Sequence, residues 1–279
     1  MNSARSRPFF PSHRWLGRGL GGVLLPVAVL VVIVVVWEAA VQAAQSPFHL
    51  IPAPTEILAA IIRTRETLLT QHIPQTMLET LIGMVLALVF GLLVAALLDF
   101  LPLVKQALYP LLVVSQTIPT VALAAVLIIA FGFGIWPKVI VVVLFCFFPI
   151  TVATIDGLNA TDPDLVALLR AMGASRLQIW RIVRFPAALP SFFSGLRIAA
   201  TYSVTGAIVG EYITSQFGLG QYLRSAFTRG QSDQAFAGIV ITSLLSIALV
   251  ALVAVAERLM LPWFFTATRE TQWTDSGIF

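Results

Sequence analysis

The acidic residues are the first candidates for chemistry in this 279-residue chain, because carboxylates serve as general acids, general bases and metal ligands. Six of them lie near the ends of apolar runs: Glu38, Glu79, Asp99, Asp156, Glu211 and Glu257. No two are three or four residues apart on one predicted helix, as a catalytic pair would be. His13, His49 and His72 lack metal-ligand spacing. The sequence therefore favours neither an enzyme nor a metal centre.

Thiol and nucleotide chemistry are equally poorly supported. The single cysteine, Cys146, lies in an apolar stretch and is predicted to fill space in a core. A phosphate-binding loop requires the pattern Gly-Lys-Ser/Thr, and neither Lys105 nor Lys138 follows a glycine. We therefore expect no ATPase site and no cofactor in this chain.

The composition indicates the surroundings of the protein. Charged residues make up 11% of the chain, whereas soluble domains contain about 25%. The apolar fraction is 58%, with a mean hydropathy of +0.94. These values exclude a soluble enzyme, a nucleic-acid-binding domain and a disordered chain, despite the pI of 9.7. They predict an all-α integral membrane protein in contact with the lipid bilayer.

Long runs without charge place the membrane spans. Five runs are clear: residues 19–37, 80–98, 110–131, 139–155 and 234–256. A sixth, 189–213, contains Arg197 and Glu211, so it is either a re-entrant segment or a span that faces the interior of a bundle. We adopt six spans with both termini in the cytoplasm, because this topology puts most arginines inside. The first run is longer than a signal-peptide core, which favours a retained span.

This topology divides the chain into a cytoplasmic tail (1–19), a first transmembrane helix (20–43), an external segment (44–76), a five-helix core (77–258) and a cytoplasmic tail (259–279). The external segment is predicted to hold a short helix over residues 55–69, capped by Thr55. Its apolar face would consist of Ile57, Leu58, Ile61 and Ile62.

Residues 161–185, which we call the elbow, are predicted to form two short cytoplasmic helices. Thr161 or Asp162 can cap the first helix, Gly173 suits its end, and Ser175 can cap the second, which should stop before Pro186. One face of the first helix is apolar: Leu165, Leu168, Leu169 and Met172. The pattern alone fits a helix on lipid headgroups as well as a docking element for a partner.

The elbow resembles the cytoplasmic signature of type I ABC importer permeases, in which Glu-Ala-Ala and a glycine precede Ile-x-Leu-Pro. Here Gly173 is followed, after nine residues, by Val183-Arg184-Phe185-Pro186. The glutamate is absent, since Ala167-Leu168-Leu169 stands at its position. Further stretches resemble the nitrate, sulfonate, taurine and thiamine-precursor branch, and are most similar to permeases for thiamine pyrimidine precursors: 51–54, 109–110, 115–123, 131–134, 147–150, 156–158, 199–207, 210–211 and 218–220.

The resemblance implies a type I transmembrane domain of six helices in the inner membrane, with a coupling helix between spans four and five. It implies two ATPase subunits that bind ATP and Mg, an external substrate-binding protein and a second permease copy. The residues that would couple to the ATPase are Asp164, Leu165, Leu168, Leu169, Met172, Gly173, Ala174 and Arg176. The implied activity is import of a small organic solute, for instance a thiamine pyrimidine precursor, by ATP-driven alternating access. Nitrate, sulfonate or taurine, and riboflavin are the alternative solutes. A channel or carrier without an ATPase, or an integral-membrane enzyme, is a more distant alternative.

The sixth span offers a candidate solute path. Ala199, Ser203, Gly206 and Gly210 form a stripe of small residues suited to close helix packing. Polar residues are harder to explain by packing, and Tyr202 and Thr205 share one helical face. The predicted path is lined by Gln116, Thr117, Tyr202, Thr205 and Glu211, with Tyr202 stacking on a flat ring.

Overall fold

The computed structural model describes residues 21–43, 51–214 and 216–264, and within these ranges every regular element is helical. Two π-helical segments, Leu68–His72 and Trp180–Arg184, join α2 to α3 and α8 to α9. The α-helices are α1 Gly21–Ala43, α2 Pro54–Thr67, α3 Ile73–Phe100, α4 Pro102–Ser115, α5 Thr120–Phe131, α6 Ile135–Asn159, α7 Pro163–Ala171, α8 Arg176–Ile179, α9 Phe185–Thr214, α10 Leu219–Thr228 and α11 Ser232–Met260.

The lengths of the helices confirm the all-α, six-span prediction. Among the described residues, five helices are long and apolar enough to cross a membrane, and the number is six when the bent pair α4–α5 is counted as one broken span. The marginal span is a continuous helix, Arg176–Ile213, so it is not a re-entrant segment. Its residue Arg197 lies 3.4 Å from Glu257 on α11, so the two charges within these spans are paired with each other.

The third span differs from the prediction of one helix over residues 110–131. It consists of α4 and α5, which meet at an angle of 97°. The break falls at Pro119, which has no N–H to donate and disfavours helical backbone at Ile118. The hydroxyls of Ser115 and Thr117 donate to the carbonyls of Leu112 and Val114, satisfying acceptors at the end of α4.

Two predicted helix boundaries are wrong because a π-helical segment continues each helix past its predicted end. The short external helix does form, but it runs on through the first π-helical segment into α3, so Pro54–Phe100 is one helix of 47 residues. The second elbow helix does not stop before Pro186. It passes through Trp180–Arg184 into α9, because the N–H of Phe185 reaches back five residues to the carbonyl of Trp180.

The predicted cap of α2 is also incorrect. Ala53 occupies the capping position, and its N–H donates to the Glu56 carboxylate over 2.9 Å. The hydroxyl of Thr55 instead donates to Glu38 on α1 over 2.8 Å. Ile57 is buried on the predicted apolar face, whereas Leu58 remains exposed.

The core is built around α6, which packs between α3 and α9. Close approach depends on glycine. A Cβ added at Gly83 would lie 2.5 Å from Val142, and one at Gly195 would lie 2.4 Å from the carbonyl oxygen of Pro149. Cys146 is fully buried in this core, as predicted. The first helix is peripheral: it contacts the remainder near its end, where Trp37 packs on α2 and α11.

Candidate functional site

The elbow turns at Gly173, whose φ is +85°. The N–H of Gly173 donates to the carbonyl of Arg170, and the N–H of Ala174 donates to that of Leu169. This pair of bonds is a Schellman motif, which satisfies the last carbonyls of α7 and requires a left-handed residue. Glycine adopts that conformation without the steric cost that a Cβ imposes.

Local side chains fix both ends of the turn. Asp162, rather than Thr161, caps α7 by accepting the N–H of Asp164 over 2.8 Å. Ser175 and Gln178 form a reciprocal capping box at the start of α8, where Arg176 is exposed. These bonds define the angle between the two arms of the elbow independently of any partner.

The apolar face of α7 is uncovered. Leu168 is 57% exposed and Met172 is 74% exposed, Leu165 is exposed as well, and Leu169 is half-buried. Arg170 and Arg176, on either side of the turn, are exposed and place positive charge at the edge of this apolar surface. Such a surface suits docking to a protein groove or contact with lipid headgroups.

The predicted path residues fall on two exposed surfaces. Tyr202 and Thr205 share the exposed face of α9, and Tyr202 is 50% exposed. Gln116 and Thr117 are exposed at the break between α4 and α5, and α5 packs against α9. No described hydrogen bond joins the two surfaces within one copy of the chain. The small residues of the stripe lie on the buried side of α9, and Gly206 and Gly210 approach α6 closely, as expected.

Glu211 does not belong to the exposed face, contrary to the prediction. It is fully buried, because it lies on the opposite side of α9 from Tyr202. Its carboxylate accepts the Thr76 hydroxyl over 2.7 Å and the Gly220 N–H over 2.7 Å. Glu211 therefore ties α9 to α3 and to the first turn of α10.

A buried charge pair lies beside Glu211 and was not predicted. The Nζ of Lys138 on α6 lies 2.7 Å from the Glu79 carboxylate on α3, and Gln75 donates to the same carboxylate over 2.6 Å. We call Thr76, Glu79, Lys138 and Glu211 the polar clamp. The sequence did carry a clue, because charged side chains inside apolar helices require buried partners.

The loop before α10 closes over the polar clamp. Gly218 has a φ of +108°, its carbonyl oxygen lies 2.8 Å from Nδ1 of His72, and the Leu219 N–H donates to Thr76 over 2.9 Å. A Cβ at Gly218 would lie 2.3 Å from the carboxylate of Glu211. The loop is therefore shaped around this acid.

We expect Gly218→Ala to lower the apparent melting temperature of the detergent-solubilised protein. At a φ of 108° and a ψ of 163°, a region that is essentially restricted to glycine, alanine would carry backbone strain of about 1–3 kcal/mol, and its Cβ would also meet the Glu211 carboxylate. Gly230→Ala is the matched control, since Gly230 has a φ of +69° and no atom within 4 Å of an added Cβ. Equal losses in both variants would mean that the clamp adds nothing beyond strain.

A shallow cleft near the elbow end of the bundle lies between α6, α9 and α11. It is lined by Asp156, Ser191, Ser194 and the Arg197–Glu257 pair. Its two acids outnumber its one base, so the cleft is mildly acidic. Within the described ranges, no group of three or more His, Cys, Asp or Glu side chains could hold a metal ion.

Comparison with known proteins yields one family match. A model described as "binding-protein-dependent transport system inner membrane component" matches residues 87–263.

Three curated relatives illustrate the range of transported solutes. The chain is 40% identical over 240 residues to the formylaminopyrimidine transport permease protein ThiX of Halalkalibacterium halodurans, covering 86% of this chain and 96% of that protein. It is 33% identical to the riboflavin transport system permease protein RibX of Chloroflexus aurantiacus, covering 86% and 89%. It is 26% identical to the taurine transport system permease protein TauC of Escherichia coli, covering 86% and 90%.

Solved structures support the fold. The inward-facing MetNI methionine ABC transporter aligns with a TM-score of 0.57 at 19% identity, covering 69% of this chain and 97% of that one. An amino acid ABC transporter aligns with a TM-score of 0.58 at 15% identity, covering 72% and 97%. The helical core has the fold of type I ABC importer permeases.

Proposed function

This chain belongs to the family of inner-membrane components of binding-protein-dependent transport systems, and from that premise we propose that it imports a neutral, nitrogen-containing ring compound of the thiamine pyrimidine precursor class. A separate ATPase would drive the import, and an external binding protein would deliver the solute. The multi-pass architecture in the inner membrane follows from the family and from the six spans.

The uncovered apolar face of the elbow is the observation that carries the coupling role. Leu165, Leu168 and Met172 are exposed on a helix whose geometry is set by its own caps. Burying a side chain of this kind contributes roughly 1.5–3 kcal/mol. A groove on the ATPase would cover this face, and Arg176 would contact the rim of the groove. Asp164, Leu169, Gly173 and Ala174 would shape the docking surface rather than bind ATP.

The chemistry of the exposed α9 face supports the choice of solute. Within the described part of α9, this face presents Ser194, Thr201, Tyr202 and Thr205, which are neutral hydroxyl groups. Arg197, which lies between Ser194 and Thr201 in the sequence, is paired with Glu257. Nitrate or a sulfonate would be expected to require a cation along the path, whereas a neutral heterocycle needs hydrogen bonds and a ring to stack on. The ThiX relative is named for such a heterocycle.

The path would form between two copies of the chain. The Tyr202 face and the α4–α5 break are both uncovered, and one copy does not enclose them. A two-fold pair would place the two faces opposite each other around a central opening. ATP binding by the partner subunits would bring the elbows together and open the path to the outside, and hydrolysis would reset it.

Uptake of a labelled aminopyrimidine by proteoliposomes tests this function. The vesicles would contain the permease, its ATPase and its binding protein. We expect uptake only with the ATPase and ATP, and no competition from taurine or nitrate. Uptake by the permease alone would contradict the assignment to an ATP-driven importer, and competition by taurine would contradict the solute class.

In the same assay, Tyr202→Ala should reduce uptake about two- to tenfold, because an aromatic pair contributes about 0.5–1.5 kcal/mol beyond its buried area. Gln116→Ala should weaken discrimination among pyrimidines by removing a hydrogen-bonding group at the break. Tyr202→Phe is the control, because it keeps the ring and should retain most of the rate. Wild-type rate and selectivity in both alanine variants would remove these residues from the path.

A further inference from the structure

One guanidinium group connects the elbow to two core helices. Arg184 is the last residue of the segment Trp180–Arg184. Its Nη1 lies 2.9 Å from the Asp99 carboxylate on α3, and its Nη2 donates to the carbonyl oxygen of Leu158 on α6 over 3.1 Å. The Asp99 side chain is 5% exposed, so this pair is shielded from water on the acidic side.

Aromatic packing reinforces the same connection. The ring of Trp180 lies 5.7 Å from that of Phe100 and stacks on Phe185 at 5.0 Å, measured between centroids. The consecutive residues Asp99 and Phe100 thus both contact the second arm of the elbow. The ion pair of Asp99 is directional, whereas the ring contact of Phe100 covers a wider area. Together they hold the orientation of α3 relative to this arm.

The position of this contact matters because α4 begins at Pro102, directly after α3. Lys105 on α4 donates to the side chain of Asn159 at the end of α6. The ends of α3, α4 and α6 and the second arm of the elbow are therefore linked by side chains in one layer. Only one non-helical residue, Leu101, separates α3 from α4, and α4 leads to the break at Gln116.

We propose that Asp99 and Arg184 are positioning residues that transmit movement of the elbow to α3 and to the broken span α4–α5. This role rests on the proposed function, in which an ATPase moves the elbow. The pair does not bind ATP or solute. It ensures that α3 and α6 follow the elbow together, since one planar guanidinium holds an acceptor on each helix.

The number of ATP molecules hydrolysed per solute imported distinguishes transmission from simple stabilisation. In the reconstituted complex we expect Arg184→Gln and Asp99→Asn to bind the ATPase and hydrolyse ATP at near wild-type rates, while import falls at least fivefold. The number of ATP molecules hydrolysed per solute imported would therefore rise about fivefold or more. Arg184→Lys keeps the charge and one bond, and should recover part of the import.

Arg181→Gln is the matched control, because Arg181 lies in the same segment and is exposed. We expect it to keep the wild-type ratio. The proposal is overturned if Arg184→Gln and Asp99→Asn lower stability but leave the ratio unchanged, or if Arg181→Gln raises it equally. Should Arg184→Gln fail to insert, an unchanged ratio in Arg184→Lys and Asp99→Asn overturns the proposal equally. Binding of the ATPase to the wild-type permease is measured before any variant. Absence of that binding would contradict the proposed function itself, independently of the Asp99–Arg184 pair.

Discussion

Gly173→Asp is expected to reduce solute uptake at least tenfold in permease that still inserts into the membrane. Gly173 has a φ of +85°, and no atom of the described residues lies within 4 Å of an added Cβ. Aspartate is among the side chains that tolerate this backbone region best, so the elbow should keep its shape. The loss would arise because a carboxylate stands beside Leu168 and Met172, on the surface that the ATPase must cover.

Gly173→Asn is the control for this experiment, because asparagine has nearly the same shape and backbone tolerance without the charge. It should retain considerably more uptake than the aspartate variant. The measurements are uptake, membrane insertion and ATP hydrolysis in the reconstituted complex. Normal uptake by Gly173→Asp would refute the coupling role of the elbow, and equal losses in both variants would assign the effect to backbone strain.

Lys138→Met is expected to destabilise the protein by about 3–5 kcal/mol, which is typical of removing one partner from a buried ion pair. Glu79 would be left fully buried with its charge uncompensated by the nearest cation. The apparent melting temperature in detergent measures this effect. The double variant Lys138→Met/Glu79→Gln should recover more than half of the loss, because it removes the charge and keeps an acceptor for Gln75.

Arg63→Met provides a contrast within the same molecule. The Arg63–Asp233 pair is largely exposed, so its loss should cost about 0–1 kcal/mol. If the double variant were no more stable than Lys138→Met, the destabilisation would come from lost packing of the lysine stem. If Arg63→Met were as destabilised as Lys138→Met, burial would not explain the effect.

The elements that the sequence predicted correctly are those determined by local chemistry. Gly173, Ser175 and Gln178 turn the elbow through bonds that span five residues or fewer, so their types and spacing contain the answer. The six spans follow from hydropathy, which is also a local property. Pro119 indicates the break in the third span, although the apolar run around it is long enough for one continuous helix.

The polar clamp could not be derived in the same way. Glu79, Lys138 and Glu211 are far apart in sequence and meet only after α3, α6 and α9 have packed. Charged side chains within apolar helices indicate that buried partners exist, but the sequence does not identify those partners. Helical geometry alone separates Glu211 from the exposed face, because it lies nine residues after Tyr202 and therefore on the opposite side of α9. Its partners Thr76 and Gly220, in contrast, follow only from the packed structure.

The helix Pro54–Phe100 is continuous through the π-helical segment Leu68–His72. Its 47 residues, at about 1.5 Å each, extend roughly 70 Å, whereas the hydrocarbon layer is only about 30 Å thick. One end contacts α10 and α11 through Thr64 and Arg63, and the other carries Asp99. If a binding protein docks at the Thr64 end and an ATPase at the Asp99 end, as the proposed function requires, this one helix connects the two docking regions directly.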